Sequence, residues 1–451
     1  MTTKIARMRK LNTKKHTLNK HFIQKKAVHL QLEKQTTKFH ISTKMTLPSE
    51  FTEYTSKLFG EQRWQQYLAS FNEDTPVSIR LNPLKAEGKK TVFQLATAVP
   101  WCKYGYYLSE RPNFTLDPLL HAGAYYVQEA SSMFLDEVIR QHFHDNSGVA
   151  LDLCAAPGGK STLLRAALPE GITLYSNEPD RRRANILSEN MQKQGLPNVV
   201  VTNNLPRDYK RSKMAFDLIL CDVPCSGEGM FRKDAGAIGE WSVQNVMKCR
   251  DLQRSIVEDI WPCLKPGAIL VYSTCTFNTH ENEENVRWIT EELGAELLPV
   301  NIREEWNITG SLLADWHGDV YRFIPGITNG EGLFMAVMRK TDGEVFKNPK
   351  PQLNILHSSL SIPQGTQKGK DVIPAHAEAL MTNLQRDKYP MTELSQDDAL
   401  RYLRREAIVL PDDTPRGFVI VTYQGLPLGF VKNIGNRANN LYPQEWRIRN
   451  L

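Results

Sequence analysis

The chain of 451 residues lacks any apolar run that approaches the length of a membrane helix. A helix that crosses a bilayer needs about 20 consecutive apolar residues, and a secretory signal peptide needs an apolar core near the N-terminus. Cysteine is also scarce: the seven cysteines are odd in number and cluster in the middle of the chain, which excludes a disulfide framework. These absences predict a protein of the reducing cytoplasm with no membrane partner.

Excess positive charge is absent outside the first 44 residues. The whole chain has 56 Lys and Arg against 50 Asp and Glu, a net charge of +6. Residues 1–44 contain 12 of the basic residues and the single acid Glu33, so they carry +11 and leave −5 for residues 45–451. We interpret residues 1–44 as a basic leader that is either disordered or an extension upstream of the true start. Three roles stay open: a transit peptide, a basic arm for nucleic acid, and an extension before a start at Met45.

From residue 149 the sequence alternates short apolar runs with segments of helix length. This alternation is typical of βαβ units in a parallel sheet, and it predicts an α/β fold with a Rossmann-like, doubly wound core. The predicted strands are 149–153, 172–176, 198–202, 217–222, 268–273 and a last, antiparallel strand at 330–338, and the predicted helices are 181–194 and 243–264.

Two smaller units flank this core. Helix-like spacing over 51–71 and a strand-like run at 77–81 predict a small N-terminal α+β domain. Prolines and polar residues over 341–390 predict a linker or loosely folded segment. A β-rich C-terminal module is predicted from a helix and two strands, at 398–405, 418–423 and 428–432. The expected domain boundaries are 1–44, 45–140, 141–340, 341–390 and 391–451.

A glycine-rich turn follows the first predicted core strand. The segment from Val149 to Thr162 reads VALDLCAAPGGKST, a buried strand that breaks into a turn and then a helix. Glycines let a ligand approach the backbone closely, and free N–H groups at a helix start suit a polar or anionic group. A phosphate-binding P-loop requires glycine where Cys154 stands, and the dinucleotide fingerprint G-x-G-x-x-G is missing. An adenosyl cofactor is the ligand class that remains.

The ends of the next two predicted strands offer further cofactor contacts. Glu178 lies 20 residues after Gly158, where an acid at the carboxyl end of a strand can bind a ribose diol. A solvated strand-end carboxylate is the alternative. Asn203 and Asn204 follow the third strand, where an amide can bond the edge of adenine or form a turn. Both interpretations stay open at each position.

Two cysteines stand at the ends of two other core strands. Cys225 follows the strand that ends at Asp222, and Cys275 comes just before Thr276 at the end of another strand. Because ligands bind at the carboxyl ends of strands in open α/β sheets, we expect both thiols beside the Gly158 turn. A regulatory disulfide and half of a metal site are alternatives, but no CxxC or Cys/His spacing supports a metal, and we predict none. Four further cysteines are interpreted as inert, small apolar residues: Cys154, Cys221, Cys249 and Cys263.

A thiolate beside an acid suits one reaction in particular. C5 of a pyrimidine is too weakly nucleophilic to attack a methyl sulfonium, but addition of a thiolate to C6 makes C5 enamine-like and reactive. Asp222 stands where a carboxylate can hold the exocyclic amine of cytosine or its protonated N3. The residues alone do not decide which of the two thiols adds to C6.

These segments resemble a known family. LDLCAAPGGKST, DVPCSGEGMFRKD and VYSTCTFNTHENEENV resemble the Nop2/Sun family of RNA 5-methylcytosine methyltransferases, in particular its bacterial 16S ribosomal-RNA branch. YYVQEASS, which begins at Tyr125, and NRANNLYPQEWR, which ends at Arg447, match the same family. The resemblance extends from about Phe51 to Arg449. It implies S-adenosyl-L-methionine as the cofactor and RNA as the partner.

The resemblance also assigns roles by position. It implies that Cys275 is the nucleophile at C6, that Cys225 assists breakdown of the covalent adduct, and that Lys160 contacts the substrate or Asp222. The implied cofactor contacts are Cys154, Ala155, Ala156, Pro157, Gly158, Gly159, Lys160, Glu178, Asn204 and Asp222. Many relatives carry an acid after the third strand, so Asn204 departs from the family pattern.

The C-terminal module resembles the PUA-like RNA-binding domain of this branch. Its candidate RNA contacts are Arg437, Tyr442, Trp446 and Arg447, because aromatic rings stack on bases and arginines contact phosphates. Packing of the two aromatic residues in the core of the module is the alternative, which we prefer for Trp446.

The N-terminal segment around 77–82 resembles the RNA-binding extension of the family. Because residues 45–451 carry −5, RNA contacts must come from local basic groups such as Arg232, Lys233 and Arg437.

We therefore predict a monomeric, cytoplasmic enzyme that methylates C5 of cytosine in 16S rRNA, with the assembling small ribosomal subunit as one candidate substrate. A tRNA methyltransferase of the same chemistry is one alternative. A catalytically silent RNA-binding ribosome-assembly factor is another, and the presence of Cys225, Cys275, Lys160 and Asp222 argues against it.

Overall fold

The computed structural model describes residues 46–86, 93–347, 349–350, 352–385 and 387–449. The predicted basic leader, residues 1–44, lies outside the described residues. Among the helices within the described ranges, none combines the length and the apolar character that a bilayer crossing requires.

The N-terminal part combines a long helix with an antiparallel sheet. Its elements are α1 (Ser49–Ser70, with a break at Gly60), β1 (Val77–Leu81), β2 (Leu95–Ala98), β3 (Gly105–Leu108), α2 (Pro118–His121) and β4 (Tyr125–Val127). The sheet order is β2-β3-β1-β4. The ring of Phe51 on α1 packs edge-on against Phe231 and Trp241, which ties the helix to the central domain. The predicted helix at 51–71 and strand at 77–81 are confirmed.

A mixed sheet with helices on both faces forms the centre of the molecule. Its strands are β5 (Ser147–Asp152), β6 (Gly171–Asn177), β7 (Val199–Thr202), β8 (Phe216–Asp222), β9 (Leu264–Thr274), β10 (Ala295–Leu297), β11 (Val320–Phe323) and β12 (Leu333–Lys340). The helices are α3 (Phe134–His142), α4 (Gly159–Ala167), α5 (Arg181–Gln194), α6 (Pro206–Ser212), α7 (Ala235–Glu240), α8 (Val243–Ile260) and α9 (Glu283–Glu292). All predicted core strands are confirmed, and the helix predicted at 243–264 ends at Ile260.

Strands β5 to β9 are parallel, and β12 runs antiparallel to β9. Ile219, Leu270 and Val271 have no exposed surface, since helices cover both faces of the sheet. The strand order β9-β8-β5-β6-β7 reverses beside β5, which pairs with β6 on one side and β8 on the other. Such a reversal opens a crevice at the carboxyl ends of the strands.

The predicted linker over 341–390 contains regular structure, which corrects the expectation of a loosely folded segment. It forms β13 (Ile355–Ser358), the hairpin of β14 (Thr366–Lys368) and β15 (Asp371–Ile373), and α10 (His376–Leu380). Strand β13 pairs antiparallel with β7 and extends the central sheet by one strand. The prolines and polar residues of this segment gave no apolar pattern that predicts a strand. Strand β13 is stabilised by its pairing with β7 at the edge of the sheet.

The C-terminal module is a four-stranded sheet with one helix. Its elements are β16 (Met391–Glu393), α11 (Gln396–Leu403), β17 (Gly417–Tyr423), β18 (Leu426–Asn433) and β19 (Ala438–Asn440), with the strand order β16-β17-β18-β19. The predicted helix and both predicted strands are confirmed. Ile79 and Tyr125 of the N-terminal part share one hydrophobic core with Tyr402 and Val419 of this module.

The structure corrects one candidate RNA contact in the C-terminal module. The ring of Tyr442 is buried and packs edge-on against Tyr402 and His376, so it cannot stack on a base. Trp446 is half-buried and also packs against His376, which agrees with its preferred packing role. Arg437 and Arg447 are exposed.

A fully buried ion pair joins β11 to the start of α9. Arg322 Nη2 donates to both oxygens of Glu283, at 2.8 and 2.7 Å, and neither side chain is exposed. Arg322 Nη1 also donates to the carbonyl of Gly310, and the Leu312 N–H donates to the same carboxylate. Removal of one partner of such a pair leaves an uncompensated charge in the interior.

Glu283→Ala is expected to lower the free energy of unfolding by about 3–5 kcal/mol, because the Arg322 guanidinium then remains buried without its carboxylate. Urea unfolding followed by circular dichroism measures this loss. Glu53→Ala removes an exposed pair with Lys57 and is the matched control, expected to leave the midpoint unchanged. A loss for Glu283→Ala no larger than that of the control would contradict the prediction.

Candidate active site

The glycine-rich turn connects β5 to α4 at the carboxyl edge of the sheet. Gly158 has a φ of +118°, in the left-handed region that side chains rarely adopt. The turn is held by the Ala155 N–H, which donates to Asn177 O, and by Thr162, whose N–H and hydroxyl both donate to Gly158 O. These hydrogen bonds fix the turn at the carboxyl edge of the sheet, where the sequence predicts a ligand.

A buried carboxylate lies directly below this turn. Asp152, the last residue of β5, accepts a hydrogen bond from Ser161 Oγ at 2.7 Å. Burial raises the pKa of Asp152 to about 7. Its second oxygen, Oδ1, is buried without a hydrogen-bond partner among the described residues. Sequence reasoning missed Asp152 as a candidate, although it stands inside the motif.

Glu178 lies next to the turn, just after β6. Only 2% of its surface is exposed. Its Oε1 accepts from the Asp180 N–H at 3.0 Å, and its Oε2 accepts from the Ala156 N–H at 3.4 Å. Arg183 lies 3.5 Å from the same Oε2. The geometry therefore places Glu178, the predicted ribose contact, against the backbone of residues 154–160, the turn predicted to hold the cofactor (the cofactor turn). It excludes a fully solvated carboxylate.

The two asparagines after β7 bond to the backbone of this chain. Asn203 Nδ2 donates to the carbonyls of Glu178 and Pro179. Asn204 Oδ1 accepts from the Asn354 N–H at 3.0 Å, and Asn204 Nδ2 donates to Asn354 O at 3.4 Å. The geometry favours the turn interpretation over the adenine contact at both positions. Asn354 lies in the predicted linker, so this pairing had no local signal in the sequence.

An ion pair links the cofactor turn to the end of β8. Lys160 Nζ lies 2.9 Å from Asp222 Oδ2, and Ser273 Oγ donates to Asp222 Oδ1 at 2.7 Å. Burial alone would lower the pKa of Lys160, but the Asp222 carboxylate and its hydrogen bond outweigh burial and raise the pKa. Lys160 is therefore a cation at neutral pH. Ser273, which fixes the other oxygen, was missed because nothing in the sequence marks it.

The two strand-end cysteines meet in the same crevice. Cys225 Sγ lies 3.1 Å from Cys275 Sγ, and the Cys275 N–H points to Cys225 Sγ at 3.3 Å. Both thiols are free, and the separation exceeds the 2.03–2.05 Å typical of a disulfide. The hydrogen bond with Cys275, together with burial, raises the pKa of Cys225.

The loops that carry the thiols are held by two buried glutamates. Glu281 accepts hydrogen bonds from the Ser226 N–H, Gln253 Nε2 and Asn278 Nδ2. Glu228 accepts from the backbone N–H groups of Phe277 and Asn278, beside Cys275.

Each glutamate thus stands on one cysteine loop and binds the backbone of the other. Both glutamates lie in the quoted motifs, DVPCSGEGMFRKD and VYSTCTFNTHENEENV, but their role appears only in three dimensions.

Burial and the neighbouring Glu228 raise the pKa of Glu281 to about 7, against the effect of its three donors. Gly229 lies where the loops touch: a Cβ there would come within 2.9 Å of Cys275 O. A residue larger than glycine at position 229 would therefore displace the loop that carries Cys275.

Among the described residues, no group of three or more His, Cys, Asp or Glu side chains could hold a metal ion. The turn after β5, the ion pair at the end of β8 and the two thiols instead meet at one edge of a parallel sheet. This fold and this set of loops define a Rossmann-like methyltransferase.

Three family models match consecutive parts of the chain. The model of 16S rRNA methyltransferase RsmB/F matches residues 142–339, that of the N-terminal domain of 16S rRNA methyltransferase RsmF matches 47–130, and that of the methyltransferase RsmF PUA domain matches 390–448. The chain belongs to the RsmB/F family of 16S rRNA methyltransferases. It is an S-adenosylmethionine-dependent RNA methyltransferase, and the predicted family, fold class and enzyme class are confirmed.

Individual relatives agree with this assignment. The chain is 31% identical over 447 residues to ribosomal RNA small subunit methyltransferase F of Aliivibrio salmonicida, covering 84% of this chain and 93% of the relative. It is 30% identical to the protein of the same name from an Enterobacter species, covering 88% of this chain and 95% of the relative.

Among solved structures, a methyltransferase homologue from Pyrococcus horikoshii has a TM-score of 0.56 at 27% identity and covers 66% of this chain and 96% of its own. NSun6 from the same organism, at 20% identity and a TM-score of 0.53, covers 66% of this chain and 99% of its own and shares the fold.

Glu281→Gln is expected to change how stability depends on pH. A carboxyl whose pKa is raised in the folded state binds its proton more tightly there, so it adds stability as the pH falls from 7 toward 5. The free energy of unfolding of the wild type, minus that of the variant, should therefore rise by roughly 2 kcal/mol between pH 7 and pH 5.

Urea unfolding of both proteins at pH 5, 6, 7 and 8 measures this difference. Glu296→Gln, on the surface strand β10, controls for the general loss of a carboxylate. Parallel stability curves for wild type and Glu281→Gln would show that Glu281 does not bind a proton in this range.

Proposed function

We propose that this enzyme methylates C5 of cytosine in 16S rRNA, with S-adenosyl-L-methionine as the methyl donor. The observation that carries the proposal is the approach of two free thiols, Cys225 and Cys275, to 3.1 Å in the crevice of the Lys160–Asp222 pair. The names of the relatives from Aliivibrio salmonicida and Enterobacter support small-subunit rRNA as the substrate.

The cofactor turn fits an adenosyl ligand. At Gly158 the left-handed backbone leaves the turn without a side chain, and Glu178 lies below it within reach of a ribose diol. The residues that would hold the cofactor are Cys154 to Lys160, Glu178 and Asp222. When bound, the cofactor supplies an electrophilic methyl group on a sulfonium.

The thiols divide the reaction into addition and release. Cys275 Sγ, as the thiolate, bonds to C6 of the cytosine, which gives C5 the electron density to take the methyl group. A base then takes the proton from C5, the electron pair of that C–H bond re-forms the double bond between C5 and C6, and the bond between Cys275 Sγ and C6 breaks to return the thiolate. We assign Cys275 as the thiol that attacks, on the family resemblance, and its Sγ lies 3.1 Å from the second thiol in the same crevice. We assign Cys225 to the release step, as the family resemblance implies.

Asp222 orients the base. Its two oxygens accept from Lys160 and Ser273, so the carboxylate is held in one orientation. A carboxylate fixed in this way can accept from the exocyclic amine of cytosine or hold a proton at N3. It thereby stabilises the electron shift from the C6 adduct to C5.

We assign RNA binding to residues 45–140 and 391–451, on either side of a catalytic domain at 141–340. The exposed Arg437 and Arg447 remain candidates for phosphate contacts in the C-terminal module. We place the reaction in the reducing cytoplasm, because all seven cysteines are free. We expect the enzyme to act as a monomer. A tRNA substrate would use the same site, and the experiment below includes it.

Wild-type enzyme incubated with tritiated S-adenosylmethionine and 16S rRNA from a strain that lacks this enzyme should label C5 of cytosine, and bulk tRNA should stay unlabelled. Cys275→Ser should lose at least about a thousandfold in rate, since an alcohol is a far weaker nucleophile than a thiolate at neutral pH. Cys249→Ser, a half-buried cysteine on α8, is the control for loss of a thiol. Full activity in Cys275→Ser would overturn the assigned nucleophile, and label in tRNA alone would overturn the substrate.

Cys225→Ala should accumulate a covalent complex between protein and RNA, because addition at C6 proceeds while release is impaired. Denaturing gel electrophoresis with labelled RNA reports the complex as a retarded band. The double variant Cys225→Ala/Cys275→Ser should lose this band, which ties the complex to Cys275. Normal turnover of Cys225→Ala without the band would exclude the role of Cys225 in release.

A further inference from the structure

A cleft of 450 Å³ lies beside the active site, and the proposed reaction does not use it. One wall comes from β1 and β4 of the N-terminal sheet, and the other comes from the segment after Cys225. The residues that matter are Ser78, Arg111, Gln128, Glu129, Arg232 and Lys233.

The N-terminal wall of the cleft contacts the cofactor turn. A Cβ at Gly159 would lie 3.6 Å from Cδ of Gln128, so this side chain packs against the start of α4. Gln128 is fixed in place by hydrogen bonds with Arg80 and Ser132. The cleft therefore begins where the cofactor turn ends.

The N-terminal wall also contacts the residues that pack against the loop of Cys275. Glu129 accepts from the Glu331 N–H at 3.0 Å, and Glu331 O would lie 3.1 Å from a Cβ at Gly229. The Gly229 N–H donates to Cys275 O at 2.8 Å. Two residues, Glu331 and Gly229, thus lie between the cleft and the backbone of Cys275.

The charges that line the cleft are not balanced. The lining contains three cations, Arg111, Arg232 and Lys233, against one carboxylate, Glu129. The Glu129 carboxylate accepts from the N–H groups of Ser131, Ser132 and Glu331, which fixes its position. The guanidinium of Arg232 is occupied by contacts within the protein. Its Nη1 lies 2.7 Å from Glu331 Oε1, and its Nη2 donates to the carbonyl of Glu73. Its predicted role as an RNA contact is therefore wrong.

Arg111 and Lys233 are the other two cations in the lining of the cleft. Both are exposed, and neither forms a salt bridge within 4 Å among the described residues. Burial raises the pKa of Glu331, and Lys233 is near enough to that carboxyl to oppose the rise. Arg111 lies with its guanidinium 5.9 Å from the centroid of Phe114, and Lys233 follows the turn in which its N–H donates to Met230 O. Pro76, Val77 and Val127 give the cleft an apolar floor.

We propose that this cleft binds RNA next to the target cytosine, with Arg111 and Lys233 on phosphates and the apolar floor under a ribose or base. The proposal rests on the proposed function, because it needs an RNA strand whose cytosine enters the crevice. A polyanion is the ligand that two unpaired cations select, and a body with a net charge of −5 offers it no general attraction. The phosphates beside the target cytosine are therefore expected to be held at this point of the surface.

The test compares Arg111→Gln/Lys233→Gln with wild type in binding to a 16S rRNA transcript over a range of salt concentrations. Loss of two phosphate contacts to a single strand should flatten the slope of log K against log salt by about 1.4. The Michaelis constant for RNA should rise severalfold, with kcat within twofold of wild type. Arg111→Lys/Lys233→Arg, which keeps both charges, should retain the wild-type slope.

The control variant Arg211→Gln/Lys213→Gln removes the same charges near the amino end of β8, the opposite edge of the sheet, and should leave the slope unchanged. Equal slopes for the cleft variant and this control would overturn the proposal. A loss of S-adenosylmethionine affinity with normal RNA binding, measured by calorimetry, would assign the cleft to the cofactor and also overturn it. Failure of wild type to label C5 in any RNA would instead remove the proposed function, whatever the slopes show.

Discussion

Two buried carboxylates fix the two cysteine loops of the active site relative to each other. Glu228 and Glu281 each stand on one cysteine loop and bind backbone groups of the other, so the segments after β8 and β9 behave as one unit. The separation of the two thiols depends on this exchange of hydrogen bonds, because the sheet alone only brings the strand ends to the same edge. An acid buried among donors is a costly feature, and it is retained here where two loops must not move apart.

The rest of the fold supplies the frame for that unit. The reversal of strand order beside β5 creates the crevice, and the ion pair of Lys160 with Asp222 closes it between the cofactor turn and β8. The N-terminal part and the C-terminal module share one hydrophobic core, although 250 residues of catalytic domain and linker lie between them in sequence. The two terminal parts therefore pack together as one continuous unit.

Much of this arrangement is predictable from the sequence. The helix Arg181–Gln194 and the strand Val77–Leu81 agree with their predictions residue by residue, since apolar periodicity and caps are local signals. Cys225, Cys275 and Asp222 stand out because they end strands. Ser273, Glu281 and the pairing of Asn204 with Asn354 could not be predicted, because each depends on residues 28 to 150 positions apart. Burial of Tyr442 is of the same kind, since it follows from the packing of the module against His376.

Strand β13 also determines what the catalytic domain can do alone. Without it, β7 would present a row of unpaired N–H and C=O groups along the edge of a long sheet, and such an edge is a template for pairing with another chain. A fragment that ends at residue 340 would therefore be prone to self-association even though its active-site residues are complete. The linker thus protects the enzyme against aggregation, and the catalytic domain is not an autonomous unit.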